Sequence, residues 1–161
     1  MTNQVEAIAG FLDVVDFKYF CTFTTRKPIS IKSTRRIAEN VARFIDAGNA
    51  STLFWAAEPF DAREGFHFHA LMRTPYNKLE IWDWYFQRYG RAQIIDNTEP
   101  ERRQAASWYC SKYLTKTLSD YDLYFERGIS GRFAASLPFA VNPTPHVESY
   151  RELIGKHREL Q

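Results

Sequence analysis

The residues best equipped for chemistry are two imidazoles one position apart, His67 and His69, and forty residues further on the string Tyr109-Cys110-Ser111-Lys112-Tyr113. Alternate side chains of an extended strand share a face, so His67 and His69 point one way while Phe66, Phe68 and Ala70 point the other. Two imidazoles on one face can share a cation. Glu58 comes shortly before them, and a four-residue loop from Phe60 to Gly65 sets it opposite His67 with its carboxylate on the same face. Two neutral imidazoles and a carboxylate suit Mn or Mg, with positions left for water and phosphate oxygens, and the ligand types also admit Zn. Asp61 and Glu64 are the substitute carboxylates if the loop differs by one residue. His146 and His157 lie in a polar tail and read as surface residues.

The second string has helical spacing. Tyr109, Lys112, Tyr113 and Lys116 recur at i, i+3, i+4 and i+7, which places them on one stripe, with Leu114 and Leu118 turned toward a core. A phenol titrates near pH 10, and a nearby cation together with ammonium groups raises its reactive fraction at neutral pH. A cation that polarises a phosphoryl oxygen beside such a phenol can support phosphodiester cleavage, with the bond energy kept as a phosphotyrosine ester. The expected metal ligands are Glu58, His67 and His69, and the expected catalytic residues are Tyr109, Tyr113 and Lys112. The plainer readings are half-exposed histidines on a sheet and an ordinary amphipathic surface helix.

Positioning these groups requires strands and helices in a definite order. Phe17 to Thr25 reads as a strand, with a short amphipathic helix before it. Ile37, Val41, Phe44 and Ile45 fall at helical spacing after Ser33 as the cap, with Gly48 as the stop. Thr52 to Phe60 and Phe66 to Arg73 form a hairpin. Asn77 caps a second helix whose buried stripe is Ile81, Trp82, Tyr85, Phe86 and Tyr89, ended by Gly90. Ala92 to Ile95 is a short strand. Thr98-Glu99-Pro100-Glu101 reads as a capping box opening a third helix that runs to about Thr117. Tyr121 to Glu126 gives a last strand. The order implies an α+β fold, an antiparallel sheet of about five strands with helices packed on it.

A chain of 161 residues fits one domain, with a core over about residues 17–127 and a less regular tail over about 128–161. With 45% apolar, 16% aromatic and 25% charged residues it reads as a soluble globular protein. The aromatic surplus suits stacking on unpaired bases. A net charge of only +2 argues against extended duplex binding and leaves room for a short single-stranded contact. Cys21 and Cys110 form no CxxC pair and fit a reducing cytoplasm, and no segment reads as a membrane span or signal peptide.

Taken together, the motifs resemble those of the HUH endonuclease superfamily, above all its rolling-circle replication initiators. Cys21-Thr22-Phe23-Thr24 is similar to the first strand motif, His67-Phe68-His69 to the histidine-hydrophobe-histidine motif, and Tyr109-Cys110-Ser111-Lys112-Tyr113 to the tyrosine motif. The resemblance covers roughly Phe17 to Leu118. It implies a ferredoxin-like domain that nicks single-stranded DNA at an origin hairpin or loop, using Mn or Mg. The cut strand stays joined through its 5′ phosphate to Tyr109 and leaves a 3′ hydroxyl for a polymerase. Host helicase and polymerase are the further partners implied, and Lys112 is implied to position the phosphate or the nucleophile. The pair Tyr109 and Tyr113 is most similar to the two-tyrosine phage type, in which both phenols act in cleavage and joining. A single-strand transposase of the same superfamily and a noncatalytic nucleic-acid-binding module on a similar scaffold are the alternatives.

Overall fold

The computed structural model describes residues 9–10, 12–13, 15–46, 51–111 and 120–124. Five strands, β1 (Tyr19–Phe23), β2 (Thr52–Pro59), β3 (Phe66–Arg73), β4 (Ala92–Asp96) and β5 (Tyr121–Tyr124), and three helices, α1 (Ile31–Ile45), α2 (Lys78–Arg88) and α3 (Pro100–Ser111), make up the described elements. The fold is α+β. The strands form one antiparallel sheet in the order β4-β1-β3-β2-β5, so the first strand lies between β4 and the histidine strand.

The register divides the sheet into two unlike faces. Cys21 pairs with Ala70 and Ile94, Phe23 with Phe68 and Ala92, and Trp55 with Ala70. These side chains share one face, which Ile37, Ala38, Val41 and Ile45 of α1 and Ile81 and Tyr85 of α2 close into a hydrophobic core. Phe23 stacks on Phe68 with ring centroids 4.8 Å apart, and Tyr85 lies 4.7 Å from Phe23. Phe20, Thr22, Glu58, His67 and His69 alternate onto the other face.

Several local signals differ from expectation. The cap of α1 is Ser30 rather than Ser33: the Ser30 hydroxyl accepts the Ser33 N–H, which draws Ile31 into the first turn. Gly48 lies outside the described residues, and Asp46 is the C-cap. Asn77 caps α2 in a capping box with Glu80. The stripe of α2 is narrower than its sequence suggests. Ile81 and Tyr85 are fully buried, whereas Trp82 and Phe86 are 39% and 41% exposed and stack on each other outside the core. Helix α3 begins at Pro100 with the Glu99 carbonyl accepting the Arg103 N–H, one residue later than a Thr98 cap would place it. Its expected continuation to Thr117 lies outside the described residues.

Three tethers place α3 over the open face. Asn97 donates from its side chain to the Phe17 carbonyl and from its backbone to Lys18, fixing the turn after β4. The Arg103 guanidinium donates to the carbonyls of Asp13 and Val15, tying the helix to the segment before β1. Past the helix, Arg35 grips Asp120 with two parallel hydrogen bonds of 2.7 and 2.9 Å, and the Asp120 carbonyl accepts the Ala57 N–H. The chain therefore re-enters the sheet next to Glu58. No described helix is long and apolar enough to cross a membrane.

Candidate active site

The β2–β3 hairpin builds the polar cluster. Glu58 pairs opposite His67, and the Phe60 N–H donates to the Gly65 carbonyl, closing the four-residue loop between them. Gly65 sits at φ +103°, a backbone conformation side chains disfavour, and a Cβ there would meet Pro28 at 3.1 Å. The loop register that turns Glu58 toward the histidines thus depends on a residue without a side chain.

One carboxylate oxygen, Glu58 Oε2, lies 3.0 Å from His67 Nε2 and 2.7 Å from His69 Nε2. The three ligand atoms all fall within 4.8 Å of one another, and among the described residues this is the one such group that could hold a metal ion. The donor set fits a divalent cation: a hard oxygen and two imidazole nitrogens converge on one side of the sheet, as an ion of the Mn or Zn type prefers. Asp61 and Glu64 are exposed in the loop and belong to no such group.

The two histidines are held by different means. His69 is buried, and its Nδ1 lies 3.1 Å from the Thr22 hydroxyl on the neighbouring strand. When Nδ1 donates to Thr22, Nε2 keeps its lone pair for a metal. His67 has no comparable polar support, since its Nδ1 is buried without a hydrogen-bond partner. Its ring is instead stacked on Phe60 at 4.5 Å, and the Arg63 guanidinium covers the other ring 3.8 Å from its centroid.

Helix α3 brings in the phenol. The Tyr109 hydroxyl lies 3.3 Å from His69 Nε2 and 3.4 Å from Glu58 Oε2, and its ring meets the His69 ring edge-on at 4.9 Å. Phe20 supports both, with its ring centroid 6.0 Å from that of His69 and 6.0 Å from that of Tyr109. Glu58, His67, His69 and Tyr109 are thereby brought together. Lys112, Tyr113 and Lys116 lie outside the described residues, as do His146 and His157.

The chain matches no family model, no curated protein and no solved structure.

Sequence reasoning missed Phe20 and Phe60, the rings on which the imidazoles rest, and took Thr22 only as part of a strand motif. The signal for Phe20 and Thr22 was their alternation on one strand, which selects a face but not a partner. Cys21 and Cys110 are both buried, and burial pushes both thiols well above the ordinary cysteine range, Cys110 adding to the effect on Cys21. Neither is an available nucleophile.

Proposed function

We propose that the protein is a metal-dependent endonuclease and strand-transferase for single-stranded DNA, acting through a phosphotyrosine intermediate as rolling-circle initiators do. The observation that carries this reading is the Tyr109 hydroxyl within 3.3–3.4 Å of two groups of the metal-ligand set. A tyrosine fixed among potential metal ligands is an expected arrangement for a nucleophile and is of no evident use to a sheet surface that only binds. The antiparallel sheet with helices is compatible with the ferredoxin-like layout of HUH nucleases, and the order of histidine and tyrosine motifs agrees with theirs.

Glu58, His67 and His69 would hold the cation, Mn or Mg, which when bound would polarise a phosphoryl oxygen and stabilise the charge developing on it. Thr22 and Phe20 orient His69, while Phe60 orients His67. Tyr109 supplies the attacking oxygen. Its phenol gives up a proton, a bond forms from its oxygen to phosphorus, and the bond from phosphorus to the 3′ oxygen breaks. That oxygen takes up a proton and leaves as a 3′ hydroxyl, so the step has no net proton change. Rejoining is the same step reversed: a 3′ hydroxyl gives up its proton and attacks the phosphotyrosine, and the bond from phosphorus to the Tyr109 oxygen breaks as that phenol takes up a proton. In this reading Tyr113 attacks in the alternate round of cleavage and Lys112 positions the phosphate. The free 3′ hydroxyl would serve a host polymerase, and a helicase would expose the strand.

The test is a covalent adduct. Incubated with Mn and single-stranded oligonucleotides of random sequence labelled at the 3′ end, the protein is expected to retain label through denaturing electrophoresis. Tyr109→Phe should abolish retention. Retention that survives this change and disappears in Tyr113→Phe would move the nucleophile to Tyr113. Absence of any adduct across the library would reject the nuclease reading in favour of a binding module.

A further inference from the structure

Beside Tyr109, on the side away from Glu58, a cleft of about 450 Å³ opens between β4 and α3. Its floor is Phe20 and Ile95, register partners on adjacent strands that face the same side. Ile95 is 37% exposed, a large apolar side chain left open next to a cluster of polar groups. Small residues of α3, Ala105 and Ala106, form the wall and leave the space unfilled. The Tyr109 ring is the boundary: it lines the cleft and meets Phe20 edge-on, while its hydroxyl faces the metal-ligand set. Polar lining groups are already engaged, Asn97 with the Phe17 carbonyl and Asp96 with Lys78. Arg102 stands at the lining with a side chain 60% exposed, its Nε 3.5 Å from Glu99.

A slot with an aromatic floor, aliphatic walls and a solvent-facing guanidinium matches a flat ring attached to a phosphate. The volume lies in the range of small-ligand pockets. Stacking on Phe20 would hold a base without reading it, and Arg102 would meet the phosphate that follows. Direction follows from the chemistry, because attacking and leaving oxygens lie roughly in line across phosphorus. The strand that leaves with its 3′ oxygen departs opposite Tyr109, whereas the nucleotide retained on phosphorus through its 5′ oxygen is free to fold back along the tyrosine's own side.

We propose that this cleft is a subsite for one unpaired nucleobase, that of the nucleotide whose 5′ phosphate becomes joined to Tyr109. The proposal rests on the nuclease reading and adds to it the means by which the joined strand stays seated while the 3′ strand departs.

An abasic scan tests it. Once a cleaved sequence has been selected from the random library, each nucleoside around the cut is replaced in turn by an abasic unit, and adduct formation is timed with the full chain and Mn. The unit immediately 3′ of the cut is expected to slow the wild-type protein about tenfold or more. In Ala105→Trp, which fills the slot, the intact oligonucleotide should already react slowly and the same lesion should add little. Adducts that form equally fast with the abasic unit at that position, or a larger loss from the unit 5′ of the cut, would overturn the subsite and leave the nuclease reading standing. Lack of adduct with every sequence would remove both. The scan of the wild-type protein decides the matter even if Ala105→Trp does not fold.

Discussion

The two faces of one sheet have been put to different uses, and neighbouring residues of β3 show it most directly. Phe68 and His69 are adjacent in sequence and both nearly fully buried. Phe68 lies among Phe23, Trp55 and Tyr85 under two helices, where the groups around it are held by nonpolar packing. His69 lies between Thr22, Glu58 and Tyr109, where polar groups satisfy one another. A core that depends on apolar burial is indifferent to which ring fills it within limits of volume, whereas a polar cluster depends on direction and partner. Nonpolar packing is therefore concentrated on the helix-covered face, and the groups that could hold a metal ion on the face that α3 only partly covers.

The strongest way to break this division is to damage the covered face and look for loss at the other. Phe68→Ala should lower unfolding free energy by about 3–5 kcal/mol in a urea titration, because a cavity opens between β3 and α2. The affinity of the folded protein for Mn, measured calorimetrically, should stay close to that of the wild type. A parallel fall in metal affinity would show that the helices behind the sheet set the imidazole geometry, and the faces could not then be treated as independent.

Thr22→Val sharpens the comparison from the other side. The change keeps the shape of a β-branched side chain on β1 but removes the hydroxyl 3.1 Å from His69 Nδ1. Groups that orient a metal-bound histidine are typically worth 10–100-fold in affinity, so Mn binding should weaken by about that factor. Thermal stability should change little by comparison. If Mn affinity is unaffected, the stack on Phe20 alone orients the ring.

How much of this was legible in the chain depends on how far apart the interacting residues lie. The hairpin could be read because alternation and a four-residue loop are local, and they sufficed to set Glu58 opposite His67. The approach of Tyr109 to that pair could be anticipated only from motif order, since nothing local brings α3 over β3. The stacking of Phe20 beneath both rings needed β1 to lie between β4 and β3, a pairing fixed by the whole sheet. Trp82 and Phe86 misled for the opposite reason. Helical periodicity marks aromatic residues as core, but α2 is wide enough to bury only Ile81 and Tyr85, and its other rings turn outward. Ser30 displaced Ser33 as the α1 cap because two serines three positions apart are equivalent in sequence until one hydroxyl finds an N–H.

The smallest expected effect belongs to the covered face and is a matter of pH. Tyr85 is fully buried, and its hydroxyl donates to the Thr24 carbonyl at 3.1 Å. Burial raises its phenol well above the ordinary value, Tyr89 adds to the rise and Arg26 opposes it. Between the ordinary phenol value of about 10 and the raised one, the folded state holds a proton that the unfolded chain has released. This contribution is thus complete below about pH 10 and declines as pH rises further. Tyr85→Phe removes both the hydrogen bond and the titration. At neutral pH it should cost about 1 kcal/mol, toward the mild end because the Thr24 carbonyl still accepts the Arg91 N–H. In urea titrations above about pH 10 the gap between the two proteins should narrow and then reverse. A gap that stayed constant with pH would mean that the phenol ionises as easily in the folded protein as in the unfolded chain, and that the core behind the sheet is less dry than its packing implies.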